Sequence, residues 1–304
     1  MSVNPADRDL PSRTATQDSL LLRKVLQNID AQSCPTTYNF HMHTNCSDGK
    51  LDPAELMLQA VELGLQGMAI TDHHSVKGYR LACQWMEDWR WRNPSSWGQK
   101  YRKKRKKASR KPANQRNTEQ HGSKQISRKQ ISRPSGRPTG DRPADQQSTT
   151  QIPQVSSQQG RRAIRALPKL WTGIEITSRL ADTDVHILGY AFEPSDEAMR
   201  PYVKGSAPKG SDRQAHRVIR AIQSAGGIAV LAHPVRYRTD EITLINAAAS
   251  LGIDGVETYY AYNNPAIWKP SPGKTERVAA LALANNLLSS CGTDTHGKLI
   301  TRRL

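Results

Sequence analysis

The sequence predicts an α/β protein with a parallel sheet and helices outside it, and three observations carry that expectation. Short apolar strand candidates alternate with amphipathic helix candidates, the pattern of βα units. Seven strands can be counted, enough to close or nearly close a barrel of the TIM type: YNFHMHT, GLQGMAITDH, LWTGIEIT, DVHILGYAF, GIAVLAHP, DGVETYY and LLSSCGTD. Nearly every one carries a His, Asp or Glu, most of them at or just after its C-terminal end.

Taken in chain order, residues 1–35 are polar and read as an N-terminal extension. One helix is expected there around Asp18–Ile29, where Leu21, Leu22, Val25, Leu26 and Ile29 fall near one face. The main domain is expected over 36–304. Its first helix, LDPAELMLQAVELG, has Asp52 to cap it, Pro53 as first helical residue and Gly64 past its end. WMEDWRWRNPSSW, with Trp85, Trp89, Trp91 and Trp97, reads as a helix packed partly on the domain. Later helices are expected in RQAHRVIRAIQSAG, EITLINAAASLG and TERVAALALANN.

A different material interrupts the domain. The chain has 304 residues, a net charge of +17 and 36% hydrophobic residues, low for a compact protein of this size. Residues 100–166 hold 19 Lys or Arg against 3 Asp or Glu, so the rest of the chain is close to neutral. Such a segment buries too little apolar surface to offset its ordering entropy, and it is expected to be a disordered basic insertion. RNA or another polyanion would suit its charge; a solvated linker without a partner is the plain alternative. Cys34, Cys46, Cys83 and Cys291 form no CxxC pair and are scattered along the chain, unlike a zinc ribbon or a disulfide framework. There is no signal-like apolar core near the start and no stretch near 18 apolar residues. A cytoplasmic protein with reduced thiols and no membrane partner is expected.

The chemistry collects at the strand ends. His41 and His43 in FHMHTNCSDG lie two residues apart, on one face of a strand and about 6.6 Å apart along it, with Asp48 in the following loop. Asp72, His73 and His74 end the second strand, and Glu175 lies on the third. His186 sits near the start of the fourth strand, which fits the end-of-strand rule less well. His233 ends the fifth, Glu257 and Tyr259 the sixth, Asp294 and His296 the seventh. Singly, each has a plain reading as a core histidine, a solvated carboxylate or a turn. Jointly, with His74 set aside, six of the nine histidines lie at these positions. Mixed imidazole and carboxylate donors suit Zn, Mn or Fe rather than Ca. The donors are too many for one ion; two or three divalent ions sharing carboxylates would use them. Such a centre polarises phosphoryl oxygens and makes water a better nucleophile. No P-loop, Rossmann glycine pattern or Ser-His-Asp order competes. Phosphate also needs cations, and Arg236, three residues after His233, is best placed, ahead of Arg213, Arg217 and Lys298.

HMHTNCSDG, AITDHH, GIEIT, HILGY, LAHP and GTDTH resemble the motifs of the PHP family, the polymerase and histidinol phosphatase group, over about 36–86 and 170–300. The resemblance implies a distorted (βα)7 barrel, a di- or trinuclear metal centre and hydrolysis of phosphate esters. It implies metal ligation by His41, His43, Asp48, His73, Glu175, His186, His233, Asp294 and His296, with Glu175 bridging, and a catalytic set of Glu175, His233 and Asp294. Many relatives read TDHD where this chain has Thr71, Asp72, His73 and His74. His74 is then an extra ligand, a phosphate contact or a neutral replacement. The relatives that look closest cleave nucleoside 3′,5′-bisphosphates or trim RNA 5′ ends, and carry a helical substrate subdomain; here only 46 residues separate His186 from His233. The leading expectation is a metal-dependent phosphoesterase acting on a phosphomonoester of a nucleotide or other small metabolite. A 5′-to-3′ exoribonuclease that holds short RNA on the basic segment is the second. A non-catalytic, metal-bound module tethered to nucleic acid is the third.

Overall fold

The computed structural model describes residues 15–92 and 166–304. Residues 100–165 of the expected basic insertion, and Trp97, lie outside the described residues. Helix α1 (Ala15–Leu26) leads to strand β1 (Tyr38–Asn39), α2 (Pro53–Leu63), β2 (Gly67–Ala69) and α3 (Lys77–Arg92). Beyond the insertion come β3 (Lys169–Trp171), β4 (Gly173–Leu180), β5 (Thr183–Tyr190), α4 (Ala215–Ser224) and β6 (Ile228–Leu231). Then follow α5 (Glu241–Ser250), β7 (Gly255–Tyr259), α6 (Pro272–Ala284) and β8 (Leu288–Cys291).

The α/β class and much of the parallel pairing are as expected, with two corrections. LWTGIEIT is two strands, so the described residues contain eight strands rather than seven. The chain turns at Thr172: β3 pairs with β2 in one sheet, while β4 opens another. Gly173 lies so close to Ile70 that a Cβ there would come 2.4 Å from its carbonyl oxygen. The second correction is direction. Strands β1, β2 and β3 are parallel, as are β6, β7 and β8, but β5 runs antiparallel to both β4 and β6. The cause is local. Ala181 and Asp182 join β4 to β5, both left-handed at φ 45° and 55°. A two-residue link of that kind makes a hairpin, whereas a parallel crossover needs a dozen residues or more.

The ladders form two sheets, ordered β1-β2-β3 and β4-β5-β6-β7-β8, not one closed barrel. Single parallel bridges meet at both seams, Met42 to Thr295 and His73 to Glu175. Both seams carry residues of the candidate site.

Helix α2 forms where its signals place it. Asp52 accepts from Ala54 N, Glu55 completes the capping box, and Gly64 closes the helix in the left-handed conformation at φ 79°. Helix α1 is an integral part of the core. Leu22 and Leu26 are buried in one apolar cluster with Phe40, Trp171, Leu188 and Ile228. Arg23 bonds Asp254, and Lys169 Nζ lies 2.8 Å from Asp18 Oδ1. Leu21, expected on the inner face, is 37% exposed. Among the described residues no helix is long and apolar enough to cross a membrane.

Leu26→Ala should therefore lower unfolding free energy by about 2–5 kcal/mol in urea denaturation, the range for a buried leucine. Leu21→Ala should change it by less than about 0.5 kcal/mol. Equal losses would show that α1 does not insert as described.

Candidate metal centre

The two histidines after β1 are fixed by backbone bonds to the loop after β8. Asp294 N donates to His41 O at 2.8 Å, and His43 N donates to Thr295 O at 3.0 Å. The approach requires glycine at 292, where a Cβ would come 2.2 Å from that of His41. His73 follows β2 and bridges to Glu175 on β4, and His233 follows β6. Ala232 N donates to His186 O at 3.0 Å. Because β5 is antiparallel to β6, its early residue His186 lies level with the C-terminal end of β6. That resolves the one misfit in the strand-end rule.

Glu175 is the meeting point, 1% exposed. Its Oε2 lies 3.1 Å from His41 Nε2, 3.0 Å from His43 Nε2 and 3.6 Å from His73 Nε2. Its Oε1 lies 2.7 Å from His186 Nδ1 and 3.2 Å from His233 Nε2. Asp294 Oδ1 stands 3.4 Å from His41 Nε2, 3.3 Å from His43 Nε2 and 3.4 Å from His296 Nδ1. The half-exposed Asp48 reaches His296 Nε2 at 3.1 Å, His43 Nδ1 at 3.5 Å and His73 Nε2 at 3.7 Å.

These residues form three groups, each with ligand atoms within 4.8 Å of one another: His43, Asp48, His73 and His296; His41, His43, Glu175 and Asp294; His73, Glu175 and His186. Both ring nitrogens of His43, and Nδ1 of His186 and His233, are enclosed and lack a hydrogen-bond partner among the described residues. Imidazole nitrogens facing carboxylate oxygens, without hydrogen-bond geometry, fit a divalent metal ion held by N and O donors. Eight of the nine expected ligands fall in these groups. His233 touches Glu175 but lies outside all three.

The field of the cluster is strongly coupled. Burial opposes charge on His41, yet Glu257, Glu175 and Asp294 outweigh it and hold its pKa well above the usual imidazole range. Burial is likewise overcome at His43, where the facing carboxylates of Asp294 and Glu175 raise the pKa to about 9. Burial also opposes ionisation of Glu175 and Asp294, and the surrounding imidazoles, His41 foremost, nevertheless depress both carboxyls far below their ordinary range. Burial pushes His73 and His233 down.

Neighbouring groups brace the ligands. Glu257, fully buried, accepts from His41 Nδ1 at 2.9 Å and from His233 N at 2.8 Å, which turns His41 Nε2 toward the cluster. Asp72 accepts from Thr44 N at 2.7 Å, Thr44 Oγ1 at 2.7 Å and Ser47 Oγ at 2.8 Å, shaping the loop that carries Asp48. Asp294 Oδ2 accepts from Tyr260 OH at 2.6 Å, Arg303 Nε at 2.8 Å and Arg236 Nη1 at 2.9 Å. Of the expected cations, Arg236 therefore reaches the cluster. Arg213 pairs with Asp184 and Arg217 with Asp212, and Lys298 meets Gln59 through its carbonyl.

His74 lies outside the donor groups. Its Nε2 is 3.2 Å from Thr177 Oγ1, and burial beside His73 and His186 lowers its pKa to about 4. Tyr259 is also outside. A register shift between Glu257 and Tyr259 on β7 precedes Tyr260, which packs 5.5 Å from the His233 ring. Tyr260 and Arg303 carried no sequence signal.

The PHP domain model matches residues 39–113, so the family resemblance carried by the motifs stands. No curated protein matches this sequence. The fold is similar to that of a provisionally assigned metal-dependent phosphoesterase from Bifidobacterium adolescentis, with a TM-score of 0.50 and 21% identity over 87% of this chain and 89% of that one. It is similar also to an amidohydrolase from Chromobacterium violaceum with bound sulfate, with a TM-score of 0.51 and 16% identity over 86% and 88%.

Three outcomes follow from this geometry. Metal ions take neutral imidazoles, whereas His43, titrating at about 9, and His41, above its usual range, hold protons at pH 7 in the chelated protein. Loading Mn²⁺ in weakly buffered solution should release protons, and apparent affinity should rise with pH to about 9. The same shift stabilises the chelated protein fully below pH 6.5, a contribution lost as pH rises through about 9. Glu257→Gln, by freeing the His41 tautomer, should weaken metal affinity about 10–100-fold in chelator competition.

Proposed function

We propose that this PHP-domain chain is a metal-dependent phosphoesterase, acting on a phosphomonoester of a nucleotide, such as a nucleoside 3′,5′-bisphosphate, or of another small metabolite. The observation that carries the reading is Glu175, whose two oxygens face two different sets of imidazoles at hydrogen-bond range. That is the disposition of a carboxylate shared between ions. Two or three divalent ions, Mn, Zn or Fe, would be held by His41, His43, Asp48, His73, Glu175, His186, Asp294 and His296, with His233 completing the set. Such ions supply Lewis acidity to a phosphoryl oxygen and to water. The two sheets are then the halves of an open, distorted barrel.

The chain's own residues do the rest. Glu175, His233 and Asp294 lie at the inner side of the reacting region, each at most 2% exposed. Arg236, with 38% of its side chain exposed, is braced on Asp294 and keeps guanidinium N–H groups for the phosphoryl oxygens. A cation at that position favours an anionic substrate over a neutral amide.

Purified protein with Mn²⁺ should release phosphate from a panel of nucleotides, bisphosphates and a chromogenic phosphate ester, and leave amides untouched. His43→Ala and Asp294→Ala should each abolish release. Full activity in either variant, or turnover confined to amides, would overturn the reading.

A further inference from the structure

We infer that Arg303 is a second phosphate-binding residue and that with Arg236 it forms a paired guanidinium site beside the metal centre; the inference rests on the phosphoesterase reading. The two side chains meet on one atom. Arg236 Nη1 and Arg303 Nε donate to Asp294 Oδ2 at 2.9 and 2.8 Å, so the two cations lie within about 6 Å of each other. Two like charges that close repel unless an anion lies between them. Asp294 is that anion on the inner side, but its other oxygen is committed to His41, His43 and His296. One carboxylate shared in this way leaves a positive surplus on the outer side.

Both guanidiniums also retain donors. Each carries five N–H groups. Among the described residues, Arg303 uses only Nε for side-chain bonds, and Arg236 only Nη1, to Asp294 and to Tyr260 OH at 3.3 Å. Their side chains are 25% and 38% exposed, so the remaining N–H groups can meet a solute. A planar fork matches two oxygens of a tetrahedral anion, and two forks converging on one rim match a phosphoryl group better than one.

Arg303 is held in place rather than merely nearby. Its carbonyl accepts from His296 N at 2.7 Å and Gly297 N at 3.0 Å, and the carbonyl of Arg302 accepts from Thr295 Oγ1 at 3.0 Å. The backbone of this turn is thus fastened to the loop that carries Asp294 and His296. Gly297 permits the approach, since a Cβ there would come 2.8 Å from the Leu304 carbonyl carbon.

Arginine modification by phenylglyoxal, read residue by residue by mass spectrometry on the full-length protein, tests the inference without relying on turnover. Inorganic phosphate should slow modification of both Arg303 and Arg236, with and without Mn²⁺, and leave the exposed Arg217 unprotected. Arg303→Gln should raise KM for the phosphate ester about tenfold with a smaller fall in kcat and unchanged metal content by elemental analysis; Arg303→Lys should fall between. If phosphate protects Arg236 but not Arg303 while the ester is still hydrolysed, the inference fails and the phosphoesterase reading survives. If Arg303→Gln loses metal without a KM effect, Arg303 only positions Asp294 and the inference fails. If both arginines are protected but no phosphate ester is turned over, it is the phosphoesterase reading that fails. The protection assay on the unaltered protein decides the matter even where a variant does not fold.

Discussion

A carboxylate buried among five imidazoles is the constraint from which the rest of this structure follows. Glu175 has almost no contact with solvent, and an uncompensated buried anion is destabilising by several kcal/mol. Its compensation comes from His41, His43, His73, His186 and His233, which belong to four separate segments of the fold. None can leave without exposing an unpaired charge, and none is placed by its own segment alone. The dependence is mutual: the carboxylates raise the pKa of His41 and His43, and those imidazoles depress Glu175 and Asp294. Positive charge in this cluster, as protons on His41 and His43 or as metal ions, is what makes the arrangement tolerable.

Convergence this tight is bought with backbone strain, and the strain is anchored. His74, His233 and Asp294 all have positive φ, at 53°, 29° and 53°. For residues other than glycine such conformations cost on the order of 1–3 kcal/mol each and persist only where the surroundings over-determine them. Here the amide of each strained residue is tied to another part of the same site. His74 N donates to Glu175 O, His233 N to Glu257 Oε2, and Asp294 N to His41 O. The turns that point the side chains inward are thus locked by the groups they serve.

This explains which parts could be read in the sequence. A histidine or acid after an apolar run is visible at His41, His73, His233 and Asp294, because a strand ends where its side chains stop being core and start being chemistry. Helix α2 was legible for the same kind of reason, since Asp52, Pro53 and Gly64 act within a few residues of themselves. The hairpin of β4 and β5 was not, because Ala181 lacks the glycine or asparagine usual at such a left-handed turn position and Asp182 alone is a weak signal. Nor was Tyr260 legible, because the register shift in β7 depends on pairing with β8 rather than on the local pattern. Arg303 is placed by hydrogen bonds to its carbonyl oxygen, which side-chain identity does not report.

The harder distinction is between carboxylates that are chemically alike and do different things. Asp72, Glu257, Glu175 and Asp294 are all buried. At Asp72 both oxygens already accept from Thr44 or Ser47, and at Glu257 both accept from His41 Nδ1 or the His233 amide. Oxygens saturated by fixed N–H and O–H donors hold a shape and have little left for an ion. Both oxygens of Glu175 instead face imidazole nitrogens that share one cluster with it, so neither is saturated by a fixed backbone or hydroxyl donor. Asp294 is divided. Oδ1 is turned to the imidazoles, while Oδ2 is bound by a tyrosine and two arginines. A residue split in this way joins the donor cluster to its cationic rim, so a change in one reaches the other through a single side chain. Its identity as aspartate is local information, but its double duty is set by which donors the fold brings to each oxygen.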